Sequence, residues 1–550
     1  MWALPASFGP MPAAVINYGV SLRISMEHLS GLDATFLHLE TPEMPMHVGA
    51  LHQLDLPEAL EGDYIDAVKR HVADRMHLAT VFTKKLALMP FDIANPVWVD
   101  DDDVDLDYHI RQITLPRPGT QAQLEAYVGR LHSSLLDRSR PLWEFYVFDG
   151  LASGQIGFYT KIHHAALDGQ GAIVLANALL DLTPVPREVA PPRQHAQHDR
   201  APYQPPVVDM LKAALRDTLI QCTRLVRGVP TGLKAVAGVV TQNNGEGGKR
   251  RLGLPSLSFA PKTPLNASIT NQRVFATAKF SLKEALAVGK TFGGTLNDAV
   301  MAIVSGALRR YLEQHHALPE RSLVAAVPVS LRAEGNTDMN NQVSMMLMQL
   351  ASDEADPRQR MRAIVKASAK MKKTVSNVKS IMPTDFPSLG VPWLMSGLVA
   401  LYGRSRLADR LPPIANVVVS NVPGPRMPLY LAGARMTTNF PVSIVTHGLA
   451  LNVTVQSYNG ALDFGMIACR RAMPDVQQFA ACMVAAHEEL LEAALEIQAA
   501  HEREQTGVSE AEVVPAKKRA APRKAANKAV VPKAGAKPAP KRKPRAATAA

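Results

Sequence analysis

Lys161-Ile162-His163-His164-Ala165-Ala166-Leu167-Asp168-Gly169-Gln170-Gly171 carries more information than any other stretch of this chain. It closes an apolar run, Ile156 to Ile162, that alternates as a strand does. It precedes Ala172 to Leu180, whose length and apolar content predict a buried helix. Two adjacent histidines, an aspartate four residues after the second, and two glycines therefore occupy a strand-to-helix turn. An imidazole so placed can take a proton from a hydroxyl near neutral pH. Glycine lets the backbone turn sharply and a ligand come close.

Plainer roles compete. Asp168 is equally suited to cap a helix beginning near Gly169. Paired histidines also serve as half-buried loop residues or as metal ligands. Zinc is disfavoured, because adjacent histidines point apart and the chain has neither a His-Glu-x-x-His helix nor a Cys-x-x-Cys pair.

Upstream, Pro141-Leu142-Trp143-Glu144-Phe145-Tyr146-Val147-Phe148 reads as a strand and Asp149-Gly150 as a turn. The histidines then sit at the far end of a hairpin. Pro141 and Trp143 are expected to fix the strand. Pro45 to Leu51 leads into another strand, with Met44 and Met46 as core residues. Asp63 to Arg75 and Gln121 to Asp137 read as helices with apolar faces, and Asp100 to Asp103 as a solvated loop.

In the second half, Arg273 to Ser281 alternates as a strand. Thr295-Leu296-Asn297-Asp298 opens a strong helix, so for Asn297 and Asp298 a helix-start role competes with chemistry. Leu323 to Ser330 reads as a buried strand. Asn416 to Ser420 reads as a β-branched strand ended by the turn Asn421-Val422-Pro423-Gly424-Pro425. Asn452 to Ser457 and Leu462 to Ala468, around Tyr458-Asn459-Gly460, form a hairpin. Asp475 to Gln498 closes the domain as an amphipathic helix. Strands with flanking helices in each half predict a two-lobed α+β architecture.

The chain is 550 residues long, enough for a large core and two domains. Its net charge of +11 is uneven: 12 Lys or Arg and no acids lie in 513–550, which leaves 11 − 12 = −1 for the rest. That tail is too poor in apolar residues to fold alone and suits any polyanion. The three cysteines, Cys222, Cys469 and Cys482, are too few and too scattered for a disulfide framework and fit a reducing compartment. No apolar run is long enough to span a membrane. Val207 to Val240 mixes Lys212, Arg216, Arg224, Arg227 and Lys234 with aliphatic residues, as in a helix lying on a lipid surface or packed on the body. Met1 to Ser25 lacks a secretory pattern, and Met26 is an alternative start.

From Met26 to about Gln498 the chain resembles the bacterial wax ester synthase/diacylglycerol acyltransferase family, within the superfamily built like chloramphenicol acetyltransferase. The matching blocks are Leu32-Asp33-x-x-Phe36-Leu37, Pro45-Met46-His47-Val48-Gly49, Pro141-Leu142-Trp143, His163-His164-Ala165-Ala166-Leu167-Asp168-Gly169, Asn297-Asp298, Val327-Pro328-Val329-Ser330-Leu331-Arg332 and Asn421-Val422-Pro423-Gly424-Pro425. Asp463-Phe464-Gly465-Met466 only partly echoes the block of the plant alcohol acyltransferases, which argues against that subgroup.

The resemblance implies an α+β fold of two lobes, each a mixed sheet with flanking helices, and an active-site tunnel between them. The corresponding division is an extension 1–25, an N-terminal lobe 26–181, a proline-rich linker 182–206, a C-terminal lobe 207–500 and a disordered basic tail 501–550. It implies O-acyl transfer from acyl-CoA to diacylglycerol or a long-chain alcohol, with no cofactor and no metal. His164 would be the general base, with His163 and Asp168 in support, Gly169 at the motif turn and Arg332 as partner of Asp168. Asn297 would be a donor near the reacting oxygens, and Pro141, Leu142, Trp143 and Asp298 would be structural. The expected location is cytoplasmic, peripheral to the inner membrane or lipid inclusions. Rival functions are another acyltransferase of this fold, polyketide-esterifying or condensation-type, and a non-enzymatic lipid-granule or nucleic-acid-binding protein.

Overall fold

The hairpin predicted around Asp149-Gly150 is the centre of the first sheet. Strands β6 (Trp143–Asp149) and β7 (Ile156–His163) pair antiparallel, with Trp143 opposite Ile162. The computed structural model describes residues 27–29, 31–58, 60, 62–87, 96–167, 169–191, 259–330, 343–378, 405 and 407–506. Asp168, Arg332, Cys222, the 207–240 segment, the N-terminal extension and the basic tail lie outside them.

In chain order the strands before the hairpin are β1 (Glu27–His28), β2 (His47–Asp55), β3 (Lys84–Ala87), β4 (Val97–Asp100) and β5 (Ile110–Thr114). Those after it are β8 (Arg273–Ser281), β9 (Val324–Ser330), β10 (Val343–Gln349), β11 (Val417–Val422), β12 (Tyr430–Leu431), β13 (Ala434–Met436), β14 (Phe440–Val442), β15 (Leu451–Tyr458) and β16 (Ala461–Cys469). The first sheet has the order β12-β13-β2-β7-β6-β5, with β14 also on β2. The second has the order β10-β9-β11-β15-β16-β8. A small sheet, β1-β4-β3, stands apart. Both large sheets are mixed: β5–β6, β9–β11 and β11–β15 are parallel pairs. Chain is shared between them, because β12 to β14, from residues 430–442, join the sheet otherwise built from 47–163.

Alternation along each strand decides the layers. In β7, Phe158 and Ile162 enter one apolar cluster with Trp143, Phe145 and Val147, while Tyr159 enters another with Leu51 and Phe148. The second cluster also takes Phe275 and Ile467 from the second sheet, so the lobes share a core there. Each such fully buried large side chain is worth roughly 1.5–3 kcal/mol. The other face of the second sheet packs Val417, Val453 and Phe464 under the helices Leu282–Thr291, Leu296–Gln314, Pro357–Val378 and Val476–Thr506.

Helix Gln121–His132 lies between the sheets and touches β8. Gly129 permits this: a Cβ there would stand 3.0 Å from the Arg273 carbonyl. Two glycines in the strands do the same more sharply. A Cβ on Gly49 would lie 1.8 Å from Thr160 O, and one on Gly465 1.7 Å from Pro441 O.

Two expectations need correction. Helix Gly169–Leu179 forms, but it is not buried: Ile173 is 56% and Val174 42% exposed. Only Leu175, Ala178 and Leu179 pack inward, because the helix lies on the outside of the sheet, and apolar content alone does not distinguish an outer helix from an inner one. The turn assigned to Asn421-Val422 starts later. Both residues continue β11, opposite Val455 and Gln456, and the strand ends where Pro423 removes a donor. Among the described residues no helix is long and apolar enough to cross a membrane, and Cys469 and Cys482 are free thiols.

Candidate active site

The end of β7 delivers the two histidines in opposite senses. His163 is the last strand residue, opposite His47 on β2, and is fully buried. His164 begins the turn and is half-buried. Strand alternation ends there, so neighbouring imidazoles serve different surroundings.

The backbone of the turn is tied on both sides. His163 N–H donates to Leu142 O at 3.0 Å, and His164 N–H to Met46 O at 2.8 Å. Ala166 N–H returns to His163 O at 2.9 Å. The Pro-Leu-Trp block thus fixes the first histidine and the Pro-Met-His block the second. Trp143 is fully buried, donates to Phe82 O at 3.2 Å and stacks on His109.

Helix Gly31–Leu39 meets both rings. Phe36 stacks on His164, centroids 3.9 Å apart and planes 15° apart. Four residues on, Glu40 Oε2 lies 3.2 Å from His163 Nε2. The i, i+4 spacing puts both side chains on one face of the helix end. Glu40 Oε1 accepts from Arg138 Nη2 at 2.8 Å, and Oε2 from Met46 N–H at 3.1 Å. Burial by itself would raise this carboxyl, but His163 and Arg138 outweigh it and hold it at about 2. His163 Nδ1 accepts from Ala165 N–H at 3.0 Å, so the ring proton is on Nε2, facing the carboxylate. Glu40 was missing from the expected site residues, and its one local signal is the four-residue spacing from Phe36 at the end of the helix.

Beneath the turn, the β7 face that carries His163 is polar. Lys161, fully buried, bonds Glu144 Oε2 at 3.1 Å, and Tyr146 O–H donates to the same oxygen at 2.6 Å. His47 Nε2 donates to His132 O at 2.8 Å. His132 Nε2 donates to Ser443 O at 2.9 Å, which leaves Nδ1 to accept from Tyr159 O–H at 2.7 Å. Burial pushes His132 down to about 3 and His47 well below the usual range, so both rings are neutral hydrogen-bonding parts rather than bases.

Downstream, helix Gly169–Leu179 is gripped at its C-terminal end. Arg187 donates to Leu180 O at 2.9 Å, and Arg75, buried against Asp181 at 2.9 Å, reaches Leu179 O. Cations there suit the helix dipole.

The motifs of the second half meet one another. Asn421 Nδ2 donates to Asn297 Oδ1 at 3.5 Å. Asp298 Oδ2 accepts from both N–H and Oγ1 of Thr295 at 2.8 Å, which gives it the helix-start role. Among the described residues no group of three His, Cys, Asp or Glu side chains is arranged to hold a metal.

Residues 29–300 match the wax ester synthase/diacylglycerol acyltransferase catalytic domain, and residues 339–491 match the C-terminal domain of the same family. A probable diacylglycerol O-acyltransferase of Mycobacterium tuberculosis H37Rv is 36% identical over 82% of this chain and 95% of its own length. The chain belongs to the wax ester synthase/diacylglycerol acyltransferase family. O-acyltransferase WSD of Acinetobacter baylyi, 32% identical over 82% of this chain and 94% of its own, is another relative. The solved wax ester synthase/diacylglycerol acyltransferase of Marinobacter aquaeolei VT8 aligns with a TM-score of 0.60 at 31% identity, covering 85% of this chain and 99% of that one. The two-lobed mixed α/β architecture is thus that of the family, and both family blocks around the histidines, Pro-Leu-Trp and Pro-Met-His, are backbone partners of the turn.

Proposed function

We propose that this member of the family moves a long-chain acyl group from acyl-CoA to the hydroxyl of diacylglycerol or a fatty alcohol, giving triacylglycerol or wax ester. His164 is the general base. The alcohol oxygen bonds to the thioester carbonyl carbon, the alcohol proton passes to the imidazole, the carbon–sulfur bond breaks, and the proton leaves with the CoA thiolate. No acyl-enzyme and no cofactor are needed.

The observation that carries this reading is the contrast between the two rings. His163 is sealed, its Nδ1 bonded by the Ala165 N–H and its Nε2 3.2 Å from Glu40 Oε2, whereas His164 is half-buried at the rim of the turn. Gly169 opens the helix after the turn, and Asn297 donates near the reacting oxygens. The reaction takes place in a tunnel between the lobes. Water-insoluble alcohols require contact with a membrane or lipid inclusion, and the exposed Ile173 and Val174, on a helix without charged residues, support it. The basic tail adds affinity for anionic surfaces.

The test is direct. Purified protein with palmitoyl-CoA and either dioleoylglycerol or hexadecanol should form the corresponding neutral lipid. His164→Ala should lower turnover roughly 10²–10⁴-fold with an unchanged melting temperature. Full turnover by the folded variant refutes the assignment of the base.

A further inference from the structure

We infer that Glu40 is a positioning residue for the transfer: its carboxylate fixes the backbone on both sides of His164 and the tautomer of His163. The inference rests on His164 as the base. Four nitrogens from three residues converge on this carboxylate, whose side chain is only 2% exposed. Arg138 occupies Oε1 through Nε and Nη2, at 3.2 and 2.8 Å. The Met46 N–H bonds Oε2 at 3.1 Å, and His163 Nε2 faces the same oxygen at an ion-pair distance of 3.2 Å.

Each contact on Oε2 is one step from the base. Met46 is also the residue whose carbonyl accepts the His164 N–H. His163, held through Nε2, presents its Nδ1 lone pair to the Ala165 N–H. The residues before and after His164, and its own amide, are therefore all referred to one carboxylate. Glu40 directly follows the helix that carries Phe36, its N–H bonded to Phe36 O at 3.2 Å, and the His164 ring lies against Phe36. A ring seated on Phe36 and a backbone held by Glu40 share one rigid support, so the imidazole is aimed before substrate arrives. Glu40 touches no reacting atom in this arrangement. Arg138 offsets the buried charge and bonds Leu37 O, but makes no contact with the histidine turn in this cluster.

Substitutions separate positioning from simple stability. Glu40→Leu removes the acceptors. It should lower kcat at least about tenfold, as expected for a displaced catalytic group, with KM for acyl-CoA and diacylglycerol within about twofold. Glu40→Gln keeps an acceptor of the same reach and should recover most of kcat. Leu490→Ala, a cavity in the core of the second sheet far from the histidine turn, should leave kcat within about threefold while lowering the melting temperature. If Glu40→Leu does not fold, Glu40→Ser, which admits water, is read in the same way. The inference is overturned if the folded Leu or Ser variant keeps wild-type kcat, if the loss falls in KM alone, or if Leu490→Ala loses as much kcat as either. His164→Ala, run in parallel, distinguishes the two readings. An active His164→Ala removes the base itself, whereas an inactive His164→Ala beside an active Glu40→Leu removes only the positioning role.

Discussion

The Phe36 ring lies flat on the His164 imidazole, with centroids 3.9 Å apart and planes 15° apart. The contact orients the ring and shields one face from water. An aromatic pair of this kind is worth about 0.5–1.5 kcal/mol beyond its burial, equivalent to roughly two- to tenfold in rate if it is fully expressed in the transition state. Phe36→Ala should therefore lower kcat up to about tenfold, and Phe36→Tyr should retain it. Steady-state kinetics on both variants, with KM measured separately, provide the check.

The buried Lys161–Glu144 pair, 3.1 Å apart with side chains 0% and 7% exposed, should respond unevenly to single and double replacement. Removing one partner of such a pair costs about 3–5 kcal/mol, while replacing both is often close to neutral. Lys161→Met should strongly destabilise the fold, and adding Glu144→Gln should restore much of the loss. Urea unfolding of the single and double variants measures the coupling; additive losses would show that the pair is not coupled.

Asp463 makes stability depend on pH in the direction opposite to a salt-bridged acid. Burial raises its carboxyl to about 6 from the ordinary 3.8, against the pull of the Asn439 N–H, bonded at 2.6 Å, and of Lys279. The folded state holds the proton more tightly than the unfolded one. Stability is therefore greatest below about pH 4, falls as pH rises to about 6, and stays low above that. Asp463→Asn should raise stability at pH 7.5 by about 1–3 kcal/mol and give little gain at pH 4.5. Chemical denaturation at the two pH values tests this, and an equal gain at both would contradict it.

Gly465 stands where β14 crosses β16. A methyl group there meets the Pro441 carbonyl at 1.7 Å, a contact only backbone movement relieves. Gly465→Ala should cost at least about 1–3 kcal/mol and loosen the seam between the lobes. Thermal melting gives the loss, and a melting point equal to wild type would show that the seam yields freely.

Much of the local structure was legible along the chain. The hairpin of β6 and β7 follows from alternation and Asp149-Gly150; the hairpin of β15 and β16 follows from Asn459-Gly460, where both residues take positive φ. Thr295 and Asp298 announced the start of their helix. Even the order of the motif blocks pointed to the family, because a turn that carries two histidines needs particular backbone partners.

Periodicity along the chain was enough to place most of the long strands, the helix opened by Thr295 and the histidine pair at the end of a strand; it did not reveal β12 to β14 or the helices Leu282–Thr291 and Pro357–Val378. Long-range packing set Glu40 and Arg138 around His163, seated His164 on Phe36, completed the first sheet with strands from residues 430–442 and turned helix Gly169–Leu179 outward. The reason is physical. Periodicity encodes which side of an element is apolar, but a buried carboxylate such as Glu40 is tolerated only where partners far along the chain meet it, and no local pattern records where they will be.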